Sequence, residues 1–342
     1  MSALTGCEPI ANSPAVHPHA LKHVPILVLN VHSRCNCRCV MCDIWKRTET
    51  EELTHAALSR HLSNFREMGV EWIVLSGGEP LMHSDFVRIA KLFQSEGIRL
   101  TLLTTGLLLS KYGDSVVHCF DEVIISLDGP RDVHDVIRRV SGAFDRIHDG
   151  ITALRKHPPA PAIRARTTVQ KENFRHLLAT ISASRQLGFE SISFLAADLT
   201  STAFNRELVW PVPRQKQVGL SRDDVEILRE EIEQVILRHG ADIDSGFIAE
   251  SSDKLRKIVQ HFEAHLGLRP PSSPICNAPW VSAVVEANGD VRPCFFHTAI
   301  GNVNDEPFVD VVNGPRGIAF RESLDVPSNP TCQRCVCSLY RP

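Results

Sequence analysis

Eleven cysteines constrain this 342-residue chain more than any other feature, because they are not spread evenly along it. Four stand at Cys35, Cys37, Cys39 and Cys42, and five at Cys276, Cys294, Cys332, Cys335 and Cys337, with only Cys7 and Cys119 elsewhere. Thiols at this density either pair as disulfides or hold metal. Residues 1–23 carry no basic stretch followed by an apolar run, so they do not read as a secretory signal. The longest apolar stretches, 25–31 and 98–109, are too short or too interrupted to cross a bilayer. A cytoplasmic protein with no membrane partner is therefore expected, in a compartment that keeps thiols reduced. Two metal sites, one towards each end of the chain, are then the economical reading. The formal charge of −3 comes without a basic run or stripe, which makes nucleic acid an unlikely partner.

Between the two cysteine groups the sequence alternates. Short runs rich in Val, Ile, Leu and Thr fall at 26–31, 72–76, 100–103, 123–127, 163–169 and 192–195, and each reads as apolar on both sides, like a strand of a covered parallel sheet. Helix-like segments at 54–68, 84–95, 110–119, 142–157 and 173–187 separate them. Six such units predict an α/β fold with right-handed crossovers, a βα-barrel or an open wound sheet. In either, functional groups gather where strands end and loops begin. Residues 201–219, broken by Pro211 and Pro213, read as a connector, followed by helices at 221–238 and 251–266. Ser221 and Asp224 form a weak capping-box signal. Pro270, Pro271 and Pro274 mark a boundary, after which Asn288-Gly289 between two apolar runs predicts a hairpin. The expected division is 1–24 as an N-terminal extension, 25–215 as the α/β body, 216–270 as a helical connector and 271–342 as a small α+β domain.

Cys35, Cys39 and Cys42 are spaced C-x3-C-x2-C at the C-terminal end of the first run. Three thiolates on a short loop can hold three corners of a [4Fe–4S] cube and leave one iron open to a small molecule. The alternative is a closed zinc knuckle, with Cys37 or His32 as the fourth ligand. One run later stands Gly77-Gly78-Glu79-Pro80. Its paired glycines let backbone approach a ligand closely, Glu79 offers a carboxylate to an ammonium group, and Pro80 stiffens the turn.

Together these residues resemble the radical S-adenosylmethionine (radical SAM) superfamily, over about 25–200. The resemblance implies a partial (β/α)6 TIM-like barrel in which Cys35, Cys39 and Cys42 hold a [4Fe–4S] cluster that binds SAM. It also implies that Gly77, Gly78, Glu79 and Pro80 contact the SAM methionine amino group. Met41 stands where an aromatic residue near the adenine is frequent, and can still pack on a purine. Thr104-Thr105-Gly106 is similar to the family's Thr-Asn-Gly, with Thr105 for Asn. Ser126 and Asp128 match a fourth-strand motif that reaches SAM, the stretch with His134, Arg138 and Gly142 to Asp145 is also similar to the family, and Arg166, Thr168 and Gln170 leave the fifth strand where SAM contacts are common. Cys37 is extra, and is expected to point away as a buried small hydrophobe.

The C-terminal thiols offer a second site. Gly289 to Cys294 reads G-x4-C, and Cys332 and Cys335 form C-x2-C. Four thiolates suit a tetrahedral zinc or a [4Fe–4S] cube equally well by spacing. The pattern resembles the SPASM extension of radical SAM enzymes or its shorter Twitch form. It implies one auxiliary [4Fe–4S] cluster on Cys276, Cys294, Cys332 and Cys335, with Cys337 as alternate ligand or bystander.

The family implies reductive cleavage of SAM to a 5′-deoxyadenosyl radical that takes hydrogen from an unactivated C–H bond. The expected substrate is a small metabolite and the expected partner an external one-electron donor such as flavodoxin or ferredoxin. Only about two dozen residues precede the first strand, which weighs against the leader-binding domain of peptide maturases, the second reading. A non-enzymatic iron–sulfur or zinc protein is the third. Arg166, Asp198, Asn205, Arg292 and His297 are the candidate substrate contacts.

Overall fold

The structure, a computed structural model, describes residues 17–204, 206 and 208–342. Six strands lie where the apolar runs predict them: β1 (Ile26–His32), β2 (Trp72–Gly77), β3 (Arg99–Thr104), β4 (Glu122–Ser126), β5 (Ala162–Val169) and β6 (Ser191–Ala196). All are parallel to their neighbours. The sheet stays open beyond β6, where Ile192 pairs with Ile248, so the barrel is partial.

Among the described residues, the helices are α1 (His55–Arg60), α2 (Leu62–Glu67), α3 (Phe86–Gln94), α4 (Leu109–Cys119), α5 (Arg131–Arg138), α6 (Ala143–Arg155), α7 (Leu177–Leu187), α8 (Val212–Val218), α9 (Arg222–Arg238), α10 (Gly240–Asp244) and α11 (Ser252–His265). The predicted helix over 54–68 breaks at His61, whose ring nitrogen reaches Val303 O at 2.9 Å. The Ser221–Asp224 capping box forms in full and starts α9. The connector over 201–219 contains α8.

One expectation fails on the barrel's inner side. Leu27, Leu29, Ile73, Leu75, Leu100, Leu102, Val123 and Ile125 alternate along β1–β4 and are buried in the main apolar core. The opposite residues are not uniformly apolar. At the barrel floor Glu122 accepts from Thr101 Oγ1 at 3.0 Å and pairs with Arg164 Nε at 2.6 Å and Arg99 Nη2 at 3.5 Å. Trp72 Nε1 donates to Thr101 Oγ1 at 2.9 Å, and Arg99 lies over the Trp72 ring at 4.7 Å. A carboxylate is tolerated there because two guanidinium groups and a hydroxyl surround it.

The predicted hairpin is β7 (Ser282–Val285) and β8 (Asp290–Arg292), followed by β9 (Gly301–Asn302). It does not stand apart from the barrel. β7 pairs in parallel with β1, Leu29 opposite Val285, so one sheet runs β6-β5-β4-β3-β2-β1-β7-β8-β9. That register carries Glu286, the residue after β7, to the barrel mouth beside Asn30. The last helices are α12 (Ala278–Val281), α13 (Phe308–Asn313), α14 (Pro315–Ser323) and α15 (Pro330–Gln333). Phe308 of α13 packs edge-on against Phe65 of α2, with centroids 5.2 Å apart.

Candidate functional site

The first cysteine loop leaves β1 and is held from three directions. Arg38 N donates to Arg138 O and Val40 N to Ile137 O, both at 3.1 Å, which docks the loop on the end of α5. Gly78 N donates to His32 O at 2.8 Å and Glu79 N to Arg34 O at 2.9 Å, which docks it on the loop after β2. On the third side Trp210 Nε1 donates to Asp43 Oδ2 at 2.7 Å, and the Arg206 guanidinium stacks on Trp210 at 3.7 Å.

The close approach of these loops explains both glycines. A Cβ on Gly78 would lie 2.0 Å from Arg34 O, and one on Gly77 would lie 2.6 Å from His32 O, with Gly77 at φ +120°. Glu79 behaves differently from the expectation. Its carboxylate is fully buried and takes four hydrogen bonds: from Leu81 N (3.1 Å), Thr104 Oγ1 (2.8 Å), Thr105 N (2.7 Å) and Thr105 Oγ1 (2.6 Å). Burial pushes its pKa up while those donors oppose the shift. The side chain therefore fastens β2 to β3, and Thr105, also within 3.0 Å of Asn36 Oδ1, is spent in the same knot. What this loop can still turn to a ligand is the backbone of Gly77 and Gly78.

Asp128 is likewise committed. It is fully buried, with Arg138 Nη2 at 2.5 Å and Thr168 N at 3.0 Å, so it is not free to reach a cofactor. Arg138 passes the connection on, its Nη1 donating to Cys39 Sγ at 3.5 Å. A hydrogen bond from Cys37, helped by the Arg138 charge, holds the Cys39 thiol down to about 7 against the effect of burial. Burial pushes Cys42 up to about 12. Cys37 is buried as expected, against Leu107 and Ala143, but it does not turn out of the loop. Its thiol hydrogen-bonds with Cys35 and Cys39, which pushes its own pKa far up.

The remaining predicted contacts divide. Gln170, buried at the end of β5, donates through Nε2 to Met41 Sδ at 3.4 Å, which brings those two together. Ser126 and Arg166 are register partners on the inner face, and Arg166 Nε reaches Ser193 Oγ at 3.3 Å. Asp198 does not face the mouth as a free acid: Arg206 Nη1 and Ser201 Oγ both sit 2.5 Å from its Oδ2. Asn205 lies outside the described residues. His297 moves to the second site, with Nε2 3.5 Å from Cys332 Sγ.

A cavity of about 260 Å³ opens at the barrel mouth. Gly77 and Gly78 line it on one side, Glu286 and Arg292 on another, and Phe204 and Phe295, with ring centroids 5.1 Å apart, on a third. Glu286 accepts from Asn30 Nδ2 and Arg292 Nε, each at 2.9 Å. Asn30, Arg206 and Glu286 were not singled out by the sequence. The one signal for Asn30 is a polar residue inside an otherwise apolar strand.

The residues fit the cofactors the motifs imply. Among the described residues, Asn30 Oδ1, Asn36 Nδ2, His134 Nε2 and Gln170 Oε1 are buried without a hydrogen-bond partner, and all lie around the cysteine loop or the mouth. Buried polar atoms are normally satisfied, so donors and acceptors gathered there suit a polar ligand. Cys276, Cys294, Cys332 and Cys335 line one small cavity with Pro279, Phe296 and Val326, whereas Cys337 is exposed and outside that lining. Burial pushes Cys294 to about 12 and Cys332 to about 11. Such thiols bind metal only by releasing their protons.

Comparison with known proteins agrees. Residues 29–183 match the model of the radical SAM superfamily, and residues 276–336 that of the iron–sulfur cluster-binding domain SPASM. The AdoMet-dependent heme synthase of Methanosarcina barkeri (strain Fusaro / DSM 804) is 30% identical over 175 residues, 49% of this chain and 50% of that protein. The chain thus spans about half the length of that curated relative. Streptococcus suis SuiB bound to precursor peptide SuiA superposes with a TM-score of 0.65 at 15% identity, over 99% of this chain and 80% of that one. Native anSMEcpe with bound AdoMet and Cp18Cys peptide gives 0.62 at 18%, over 91% and 85%. At such identities these structures show the fold alone. The chain therefore carries a radical SAM domain over residues 29–183, which implies SAM and a [4Fe–4S] cluster, and a SPASM iron–sulfur cluster-binding domain over residues 276–336, which implies an auxiliary cluster.

Proposed function

We propose that this enzyme takes hydrogen from an unactivated C–H bond of a small polar metabolite, oxidising or rearranging it. In this reading Cys35, Cys39 and Cys42 hold the SAM-binding cluster, and Cys276, Cys294, Cys332 and Cys335 the auxiliary one. The bound cofactors supply a 5′-deoxyadenosyl radical when an external carrier delivers one electron. The chain's own residues bind, orient and shield. The Gly77 and Gly78 backbone is open to the SAM methionine, Met41 and Gln170 lie beside the loop where the adenine is expected, and Arg138 steadies Cys39.

The observation that carries the small-metabolite reading is the mouth cavity itself. It is compact, and it joins the Gly77–Gly78 wall to a paired Glu286 and Arg292 under an aromatic roof. Such a lining offers both a hydrogen-bond acceptor and a cation to a substrate with hydroxyl or amino groups, while Phe204 and Phe295 exclude water. A peptide substrate is the second reading, favoured by the fold shared with peptide-bound SuiB and anSMEcpe.

The test is anaerobic incubation of the reconstituted enzyme with SAM, dithionite and separated small-molecule and peptide fractions of a cell extract. 5′-Deoxyadenosine release stimulated by the small-molecule fraction, and lost in Glu286→Gln, supports the proposal. Stimulation confined to peptides overturns it.

A further inference from the structure

The thiols of the two cysteine groups share a hydrogen-bonding pattern. In four of the turns, the backbone N–H two residues after a cysteine points back at its sulfur. Cys37 N donates to Cys35 Sγ at 3.5 Å, Ile44 N to Cys42 Sγ at 3.4 Å, Phe296 N to Cys294 Sγ at 3.4 Å and Cys337 N to Cys335 Sγ at 3.4 Å. Cys39 and Cys332 meet a side chain instead, Arg138 Nη1 and His297 Nε2 respectively, each at 3.5 Å. Among the described residues Cys276 has neither kind of donor.

Cys332 has a local reason to differ. It lies in α15, and the N–H two residues on, that of Arg334, is spent on Thr331 O at 3.3 Å. The imidazole that takes its place is set by its own surroundings rather than by the thiol. His297 N donates to Cys294 O at 3.2 Å, and its carbonyl accepts from Arg292 Nη1 at 2.8 Å. Its ring meets Phe320 edge-on, with centroids 4.9 Å apart, and it lines the same cavity as Cys276, Cys294, Cys332 and Cys335. A metal-bound thiolate carries no proton and can only accept, so Nε2 is the donor there. A donor aimed at a cluster sulfur favours the state with more negative charge, which is the reduced one, and so raises the potential. The backbone donors come with the chain whatever the side chains are. At this site His297 is the donor that a side chain supplies, and so the one that sequence can adjust.

We propose that His297, rather than touching substrate, sets the potential of the auxiliary cluster by donating Nε2–H to Cys332 Sγ, and holds that potential above the value the four thiolates alone would give. The proposal rests on the reading of Cys276, Cys294, Cys332 and Cys335 as the ligands of that cluster. Arg138 stands in the same relation to Cys39 in the first loop.

The test isolates the auxiliary cluster in the full chain by removing the first three ligands, Cys35→Ala/Cys39→Ala/Cys42→Ala. That parent is compared with the same protein carrying His297→Phe or His297→Gln. Phe keeps an aromatic ring against Phe320 and loses the donor, whereas Gln restores an N–H at about the position of Nε2. After anaerobic reconstitution, bound iron is counted and the midpoint potential is read by a mediated redox titration followed by electron paramagnetic resonance. Losing a hydrogen bond that strengthens with the charge of its acceptor should lower the reduced-to-oxidised ratio about tenfold, or about 59 mV for a one-electron couple. Iron should be unchanged in the Phe variant, and Gln should recover most of the shift. A Phe variant with the parent's midpoint, or Phe and Gln variants shifted alike, overturns the proposal. A Phe variant that loses its iron overturns it too, because His297 would then be a ligand. The cluster reading is judged separately: it fails if the parent itself binds no iron.

Discussion

Replacing Glu79 tests how the SAM-side loop is held. In Glu79→Gln the side chain keeps its shape but turns one oxygen into an NH2 group. The two oxygens face different partners: Leu81 N and Thr104 Oγ1 on one, Thr105 N and Thr105 Oγ1 on the other. The threonine hydroxyls can rotate to accept. The backbone N–H groups cannot, so whichever way the amide turns, one of them meets another donor. A buried donor left without a partner costs about 1–3 kcal/mol, which is the expected loss for Gln. Glu79→Ala strands both N–H groups and should cost about 2–6 kcal/mol, against a total stability of about 5–15 kcal/mol for an ordinary domain. Anaerobic guanidinium unfolding should show midpoints falling in the order wild type, Gln, Ala, with 5′-deoxyadenosine release falling alongside as the Gly77–Gly78 backbone loosens. A Gln variant with an unchanged midpoint and full SAM cleavage would refute the fastening role.

Three further outcomes follow from the same geometry. Gly78→Ala places a methyl 2.0 Å from Arg34 O and must push the two loops apart, so SAM cleavage should collapse while circular dichroism stays close to wild type. His134 is buried and His261 half-buried, and desolvation lowers their pKa values to about 3 and about 4, below the unfolded value of about 6.5. Between those limits the unfolded chain binds the extra protons, so stability should fall as pH drops from about 6.5 towards 4, by about 1.4 kcal/mol per unit for each histidine, and denaturation midpoints across that range check it. At the second site Cys335→Ser should cost the auxiliary iron, whereas Cys337→Ser, at an exposed position outside the cavity, should retain it by iron analysis.

The six barrel strands were legible because apolar runs with turn signals are local features, and the two cysteine groups were legible because metal spacing is local too. Helix α5 was missed: it is short and mostly polar, with only His134, Ile137 and Arg138 buried, so its amphipathic pattern is brief. The pairing of β7 with β1 joins residues some 250 apart in sequence, and no run of residues announces it. The same blindness affects acids. Glu79, Asp128 and Asp198 each looked available, yet Glu79 and Asp128 are committed to partners on other elements and Asp198 to Ser201 and Arg206 of its own connecting segment. Availability depends on tertiary neighbours, which composition and spacing do not encode.

The assignment of the two cysteine groups to two clusters is tested most directly by one paired measurement. Wild type and the triple variant Cys35→Ala/Cys39→Ala/Cys42→Ala are reconstituted anaerobically and assayed for bound iron and for 5′-deoxyadenosine released from SAM under dithionite. Two cubes predict about eight irons per chain in wild type and about four in the variant, whose remaining cluster sits on the C-terminal thiols. The variant should release no 5′-deoxyadenosine. A triple variant that still cleaves SAM, or that keeps all its iron, would contradict that assignment.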